Sequence, residues 1–160
     1  MTTRKFKKSD APEVSRIMIA AFKTFLGRKW NWIDEKHFSP KTLAAASNTQ
    51  SELDEAASFV AVEGKTVLGY IRGTASACGL GSLEVVGVDP ATLHKGVGKA
   101  LMKALEDFWR QKKQRKVHTC VCAHNSRALI YYLSNGFIPA GYRKDHFKPG
   151  VDEIILDRFF

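Results

Sequence analysis

The passage from Leu83 to Phe108 constrains this chain most. An apolar run, Leu83-Glu84-Val85-Val86-Gly87-Val88, ends at Asp89-Pro90. A turn, Lys95-Gly96-Val97-Gly98-Lys99, opens a segment in which Val97, Leu101, Ala104, Leu105 and Phe108 share one face. The first run reads as a strand and the second as an amphipathic helix. A strand feeding a glycine turn that opens a helix has the physics of an anion site. Glycines let the backbone approach a ligand closely. The first N–H groups of a helix have no internal partners, and the helix dipole adds partial positive charge there. Lys95 and Lys99 add full charges. A pyrophosphate would satisfy all of these groups. The spacing is neither the Walker pattern nor the full dinucleotide fingerprint, so a plain helix entry explains the turn equally well by itself.

The elements around it alternate in type. Residues 4–7 read as a short strand. Asp10 and Glu13 have capping-box spacing with Pro12 in the first turn, and Val14, Ile17, Met18, Ala21, Phe22 and Phe25 recur at helical spacing. Residues 27–57 are aromatic through Trp30, Trp32 and Phe38, with a helix start at Ser39-Pro40. The aromatics read as core, or as a substrate-facing flap. Ser58 to Glu63 and Thr66 to Thr74 flank Gly64 as a hairpin. Val117 to Ala123 is a strand, and Asn125 or Ser126 caps a helix that Gly136 ends. Phe137 to Tyr142 and Val151 to Leu156 form a last strand pair around Lys148-Pro149-Gly150. The order is mixed α and β, in one domain over residues 1–160.

Composition narrows the class. A hydrophobic fraction of 44% over 160 residues suits a globular domain with one core. No run approaches the ~18 apolar residues of a membrane span, and the charged N-terminus lacks a signal-like apolar stretch. Three cysteines, Cys78, Cys120 and Cys122, without framework spacing read as reduced thiols in a cytoplasmic protein. A net charge of +9 suits a polyanionic partner or cofactor, or serves solubility alone.

A second constellation is Asn125-x-x-Ala128-x-x-Tyr131-Tyr132-x-x-x-Gly136-Phe137. Singly, these residues cap, pack and terminate a helix. Paired with the earlier turn, they make the chain resemble the GNAT superfamily of N-acetyltransferases. The first family motif is a strand ending in Val-x-Pro, then Gln/Arg-x-x-Gly-x-Gly/Ala opening a helix. Here it reads Val88-Asp89-Pro90, then Leu93-His94-Lys95-Gly96-Val97-Gly98. The second, Asn-x-x-Ala-x-x-x-Tyr-x-x-x-Gly-Phe, reads Asn125, Ala128, Tyr132, Gly136 and Phe137. Leu93 departs from the pattern, which removes one polar side chain and leaves the backbone cradle untouched.

The resemblance covers nearly the whole chain. It implies an α/β (α+β) fold: a mixed, mostly antiparallel central sheet of about six to seven strands flanked by helices. It implies acetyl-CoA as donor cosubstrate, no metal, and a primary amine as acceptor. The backbone of Val86 and Val88 would pair with the pantetheine arm like an added strand. Amides of His94, Lys95, Gly96, Val97, Gly98 and Lys99 would hold the pyrophosphate. Asn125 would contact the cofactor arm, and Tyr132 would sit near the sulfur as general acid. An amine of pKa about 10.4 must lose a proton before attack, and a backbone N–H near Val88 would stabilise the thioester oxygen. Glu84, the acid within the apolar run, is the candidate base, directly or through water; a solvated or ion-paired strand residue is the equal alternative. Strict alternation puts it on the face of Val86 and Val88, unless a bulge breaks the parity.

Two other clusters carry competing readings. His118, Cys120, Cys122 and His124 alternate along one strand, so the outer two lie about 20 Å apart. One zinc needs its ligands within roughly 2.0–2.3 Å, so this is a mostly buried strand. Asp145, His146, Asp152 and Glu153 read as a polar hairpin; facing an acceptor pocket, they would bind or deprotonate a cationic amine. The alternatives to an enzyme are a non-catalytic acyl-CoA-binding module and a basic nucleic-acid-binding domain. The second lacks any base-reading motif, so no nucleic-acid partner is expected. A homodimer is compatible with the chain, and a membrane partner is not expected.

Overall fold

The computed structural model describes residues 1–46 and 50–160. Among these, seven strands form one sheet in the order β1-β2-β3-β4-β5-β7-β6. They are β1 (Thr2–Lys5), β2 (Asp54–Glu63), β3 (Thr66–Ser76), β4 (Leu80–Val88), β5 (Lys116–Cys122), β6 (Ile138–Lys148) and β7 (Val151–Phe159). β4 and β5 run parallel, and every other neighbouring pair is antiparallel. The sheet is therefore the mixed, mostly antiparallel one expected from the sequence.

Helices cover both faces. α1 (Ala11–Leu26), α2 (Trp32–His37) and α3 (Pro40–Ala46) lie on one side. There Val14, Ile17, Met18, Phe38 and Leu43 pack with Val60, Val67 and Tyr70. α4 (Val97–Gln111) and α5 (Ser126–Ser134) lie on the other. There Val97, Leu101, Leu105, Trp109 and Tyr132 pack with Ile71, Leu83, Val117, Val121 and Leu156. The helical spacing read in the sequence is the spacing of these buried residues. The buried Trp109 indole keeps its N–H satisfied by donating to Thr74 O at 2.9 Å.

Some local expectations needed correction. Asp10 precedes α1 without a side-chain cap bond. Its carboxylate instead accepts both Arg4 guanidinium nitrogens, at 2.7 and 2.9 Å, and the Lys7 N–H at 2.8 Å. That fork ties β1 to the start of α1. The stretch 27–57 holds a helix, α2, that was not anticipated. Asn31 caps it by accepting from Ile33 N–H at 2.9 Å, and Asp34 returns the bond to Asn31 N–H at 2.8 Å. Its aromatics divide: Phe38 is buried and Trp30 partly so, whereas Trp32 is 70% exposed. Residues 47–49 of the expected flap lie outside the described residues.

Candidate functional site

β4 and β5 pair only where Leu80–Ser82 meets Lys116–His118. Beyond that point the strands part. One further link crosses the opening, the Thr119 hydroxyl donating to Leu83 O at 2.9 Å. On its other edge β4 stays bound to β3, with Gly87 opposite Tyr70 and Val86 opposite Ile71. Asp89 N–H donates to Leu68 O at 2.8 Å, so Asp89 and Gly87 direct their backbone groups toward β3. By antiparallel alternation, the N–H and C=O of Val86 and Val88 point into the gap. A sheet interior is thus opened to offer an unpaired edge, on the two residues expected from the sequence.

The same strand carries an irregularity that corrects one expectation. The register passes from Arg72↔Val85 to Gly73↔Leu83, leaving Glu84 as an extra residue. Leu83, Val86 and Val88 pack toward α4, while Val85 packs toward α1. Glu84 joins Val85 on the α1 face, where it pairs with Arg72. Arg72 is itself tied to α3 by donating to Ala46 O at 3.0 Å. Glu84 therefore lies opposite Val86 and Val88, because the bulge resets the alternation.

The turn before α4 is built as a cradle. His94 and Gly96 both sit at positive φ, 65° and 79°, and no atom lies within 4 Å of where a Gly96 Cβ would be. The first intrahelical bond is Ala100 N–H to Gly96 O at 3.0 Å. The N–H groups of Val97, Gly98 and Lys99 precede it and face out of the helix end. His94, Lys95 and Lys99 are exposed around them. The approach to the cradle is fixed at Asp89. Its carboxylate accepts from Ala91 N–H at 2.9 Å and pairs with Arg16 of α1. That guanidinium holds the Asp89 carboxyl below its ordinary range.

α5 brings the second constellation against the first. Asn125 Oδ1 caps α5 by accepting from Ala128 N–H at 3.2 Å. Tyr132 is buried beneath the gap, with its ring edge-on to Phe137 at 5.6 Å. Burial pushes its phenol up to about 12, with the Thr119 hydroxyl acting the other way. Two further residues complete this site: Thr119, given no site role from the sequence, and Tyr131, a member of the second motif read there only as packing. Thr119 is a polar residue on the buried parity of Val117 and Val121, a signal that could have marked it. Tyr131 donates to Gly98 O at 2.8 Å and so joins α5 to the cradle.

On the α1 face, the sequence cluster of Asp145, His146, Asp152 and Glu153 does come together. Asp145 N–H donates to Asp152 at 2.9 Å, and His146 Nδ1 lies 2.5 Å from Glu153. Cys120 and Cys122 share this face with Glu153, beside which Cys122 sits in register. Burial raises both thiols, with Glu153 adding to the shift.

Known proteins share this fold. The acetyltransferase (GNAT) family profile matches residues 21–137. The N-alpha-acetyltransferase RimI of Mycobacterium tuberculosis is 34% identical over 77 residues, 48% of this chain and 47% of that protein. The match thus spans about half the length of that curated relative. Among solved structures, the PaiA N-acetyltransferase of Thermoplasma acidophilum in complex with coenzyme A superposes with a TM-score of 0.80. It is 21% identical, over 99% of this chain and 98% of that one. The ribosomal-protein-S18-alanine N-acetyltransferase of Escherichia coli superposes with a TM-score of 0.75 at 22% identity, over 99% of this chain and 92% of that one. With most of its length matched by the family profile and its fold shared end to end, the chain belongs to the acetyltransferase (GNAT) family.

Proposed function

We propose that the chain binds acetyl-CoA across the cradle and the β4–β5 gap and transfers the acetyl group to a primary amine. One observation carries the reading. The unpaired edge at Val86 and Val88 lies between the open N-terminus of α4 and the buried Tyr132 phenol. The fit can be judged from the protein alone. Backbone donors stand unpaired at the helix end, and no atom fills the space over Gly96.

Acetyl-CoA would supply the thioester whose carbonyl the amine attacks. Amides of Val97, Gly98 and Lys99, with Lys95 and Lys99, would hold its pyrophosphate. Val86 and Val88 would hydrogen-bond its arm as a sheet edge takes a strand. A backbone N–H near Val88 would meet charge developing on the thioester oxygen. Tyr132 keeps its proton throughout the neutral range, because its phenol is raised to about 12. A thiol near 8.5 is the stronger acid. Tyr132 therefore stabilises the departing sulfur by hydrogen bonding, and a completed transfer runs uphill until solvent resupplies the proton.

The amine would approach from the α1 face, where the cluster of Asp145, His146, Asp152 and Glu153 lies. The likeness to an N-alpha-acetyltransferase makes a peptide α-amine the first acceptor to test. A cytoplasmic location belongs to this reading, supported by three free cysteines. No helix among the described residues is long and apolar enough to cross a membrane. A homodimer would form along β6, whose outer edge leaves Ile138 and Tyr142 exposed. The test is to incubate the protein with acetyl-CoA and a panel of peptides and small amines. One free thiol should appear per amine acetylated. Absence of both thiol release and thermal stabilisation by acetyl-CoA would count against the reading.

A further inference from the structure

We infer that the acceptor ammonium gives up its proton to His146 Nε2, with Glu153 holding the ring, at the place now taken by the Arg143 guanidinium. The inference rests on the acetyl-transfer reading and names the base for it.

The hairpin of β6 and β7 is built around this ring. The register passes from Arg143↔Glu153 to Lys148↔Val151, so Lys144 to Phe147 stand opposite Asp152 alone. The excess is not slack. Asp145 sits at φ 50°, and its N–H donates to Asp152 Oδ1 at 2.9 Å. Gly150 N–H donates to Asp145 Oδ1 at 2.5 Å, and the Tyr142 hydroxyl donates to Asp152 Oδ2. A non-glycine residue at positive φ, fixed by several hydrogen bonds, is a feature of functional bulges. Its effect is to turn His146 over Glu153, which regular pairing would not do.

The ring's partners set its tautomer. Nε2 lies 2.9 Å from Arg143 Nη1, and Nδ1 lies 2.5 Å from Glu153 Oε2. A guanidinium can only donate, so Nε2 accepts; Nδ1 then carries the hydrogen and donates to the carboxylate. A neutral ring with its second nitrogen accepting from a cation is arranged as a general base would be. Arg143 is exposed, whereas the Glu153 side chain is 14% exposed. An alkylammonium can replace the mobile guanidinium at the same acceptor atom.

The location also fits. Glu153 lies in register with Cys122 on the α1 face. Cys120, two residues along β5, adjoins Thr119, whose hydroxyl reaches across the β4–β5 gap to Leu83 O. β5 thus lies between the Tyr132 phenol on the α4 face and the proposed base on the α1 face. The other candidates on this face are engaged. Glu84 pairs with Arg72, and protonating it would strand a guanidinium whose side chain is 15% exposed. His118 sits at Ser82, where β4 and β5 are still joined. His124 Nε2 lies 3.1 Å from Cys122 Sγ.

The protons balance. His146 takes one proton from the ammonium, and the amine lone pair forms the C–N bond as the C–S bond breaks. The nitrogen's second proton neutralises the thiolate, directly or through solvent. His146 returns its own to solvent, giving amide, thiol and one H⁺. The charged groups in contact with the ring are Arg143 from β6 and Glu153 from β7; Cys122 of β5 lies in register with Glu153, and Asp145 and Asp152 sit in the same hairpin bulge.

The test compares His146→Gln and Glu84→Gln with the wild type, using acetyl-CoA and either an alanine-leading hexapeptide or spermidine. For His146→Gln, kcat/KM at pH 7 should fall about 100-fold, with the loss shrinking as pH rises and the amine deprotonates unaided. Stabilisation by acetyl-CoA should be unchanged, and Glu84→Gln, whose amide oxygen can still accept from Arg72, should stay within about threefold. Arg143→Ala should lower KM for the amine, since a competing cation is gone. A His146→Gln rate within threefold of wild type at pH 7 overturns the assignment, as does a collapse in Glu84→Gln alone. If His146→Gln also loses stabilisation by acetyl-CoA, Arg143→Ala decides: a lowered KM supports the assignment and an unchanged one overturns it. A wild type that acetylates neither amine sinks the acetyl-transfer reading and this assignment together.

Discussion

The Tyr131 hydroxyl donates to the Gly98 carbonyl at 2.8 Å, and the Tyr131 ring stands 3.0 Å from where a Gly98 Cβ would lie. The two sequence motifs therefore meet as one object, with α5 bracing the start of α4. Gly98→Ala must push the ring by a few tenths of an ångström and disturb that brace. We expect about 1 kcal/mol of lost stability and a several-fold weaker acetyl-CoA affinity, read by thermal melts and titration.

Tyr132→Phe should retain acetyl-CoA binding and lower kcat by about 100-fold, measured as thiol release. The phenol's raised position also sets a sign. A folded value of about 12 against an ordinary value near 10 means full stability below pH 10, lost as pH rises from 10 toward 12. Alkaline melts of the wild type should steepen in that window, and those of Tyr132→Phe should steepen less.

Asp10 supplies the opposite sign. The Arg4 hydrogen bond, with help from Lys7, holds its carboxyl below the ordinary range. Its stabilisation is complete above about pH 4 and fades as pH falls through the depressed folded value. Arg4 is about one-third exposed, so solvent screening limits the contribution to about 1 kcal/mol. Asp10→Asn should lose that amount at pH 7 and show a flatter decline below pH 4, by denaturant melts.

A strap ties α2 and the segment before it to the β6–β7 hairpin. Lys148 Nζ donates to both Asp34 oxygens, at 2.7 and 2.9 Å, and to Lys29 O at 3.0 Å. Lys29 in turn donates to Gly150 O. Asp34 is 6% exposed, so removing it leaves a poorly hydrated ammonium unpaired. Asp34→Ala should cost about 2 kcal/mol and speed amide exchange at residues 148–151.

The periodic elements were legible because burial enforces their periods. The spacing of Val97, Leu101 and Leu105 in α4 is the spacing of contact with the sheet. The gap between β4 and β5 was legible only through the family resemblance, since no local pattern marks where parallel strands part. The face of Glu84 was not readable, because a bulge is one extra residue that leaves composition and hydrophobicity unchanged. Asp10 had capping chemistry but found a stronger partner in Arg4, a contact set by how β1 meets α1. The α2 start was present as Asn31 with Asp34, a capping box passed over amid the surrounding aromatics. The excess of β6 over β7 that carries His146 depends on register, which the sequence of one strand does not contain.

Amide hydrogen exchange with and without acetyl-CoA tests the central claim most directly. The gap and the cradle leave the N–H groups of Val86, Val88, Val97, Gly98 and Lys99 without partners among the described residues, so a bound donor should be what protects them. We expect slowed exchange at these five amides on adding acetyl-CoA, with the β2–β3 hairpin unchanged. Slowing elsewhere with these five unaffected, or no slowing at saturating acetyl-CoA, would contradict the account.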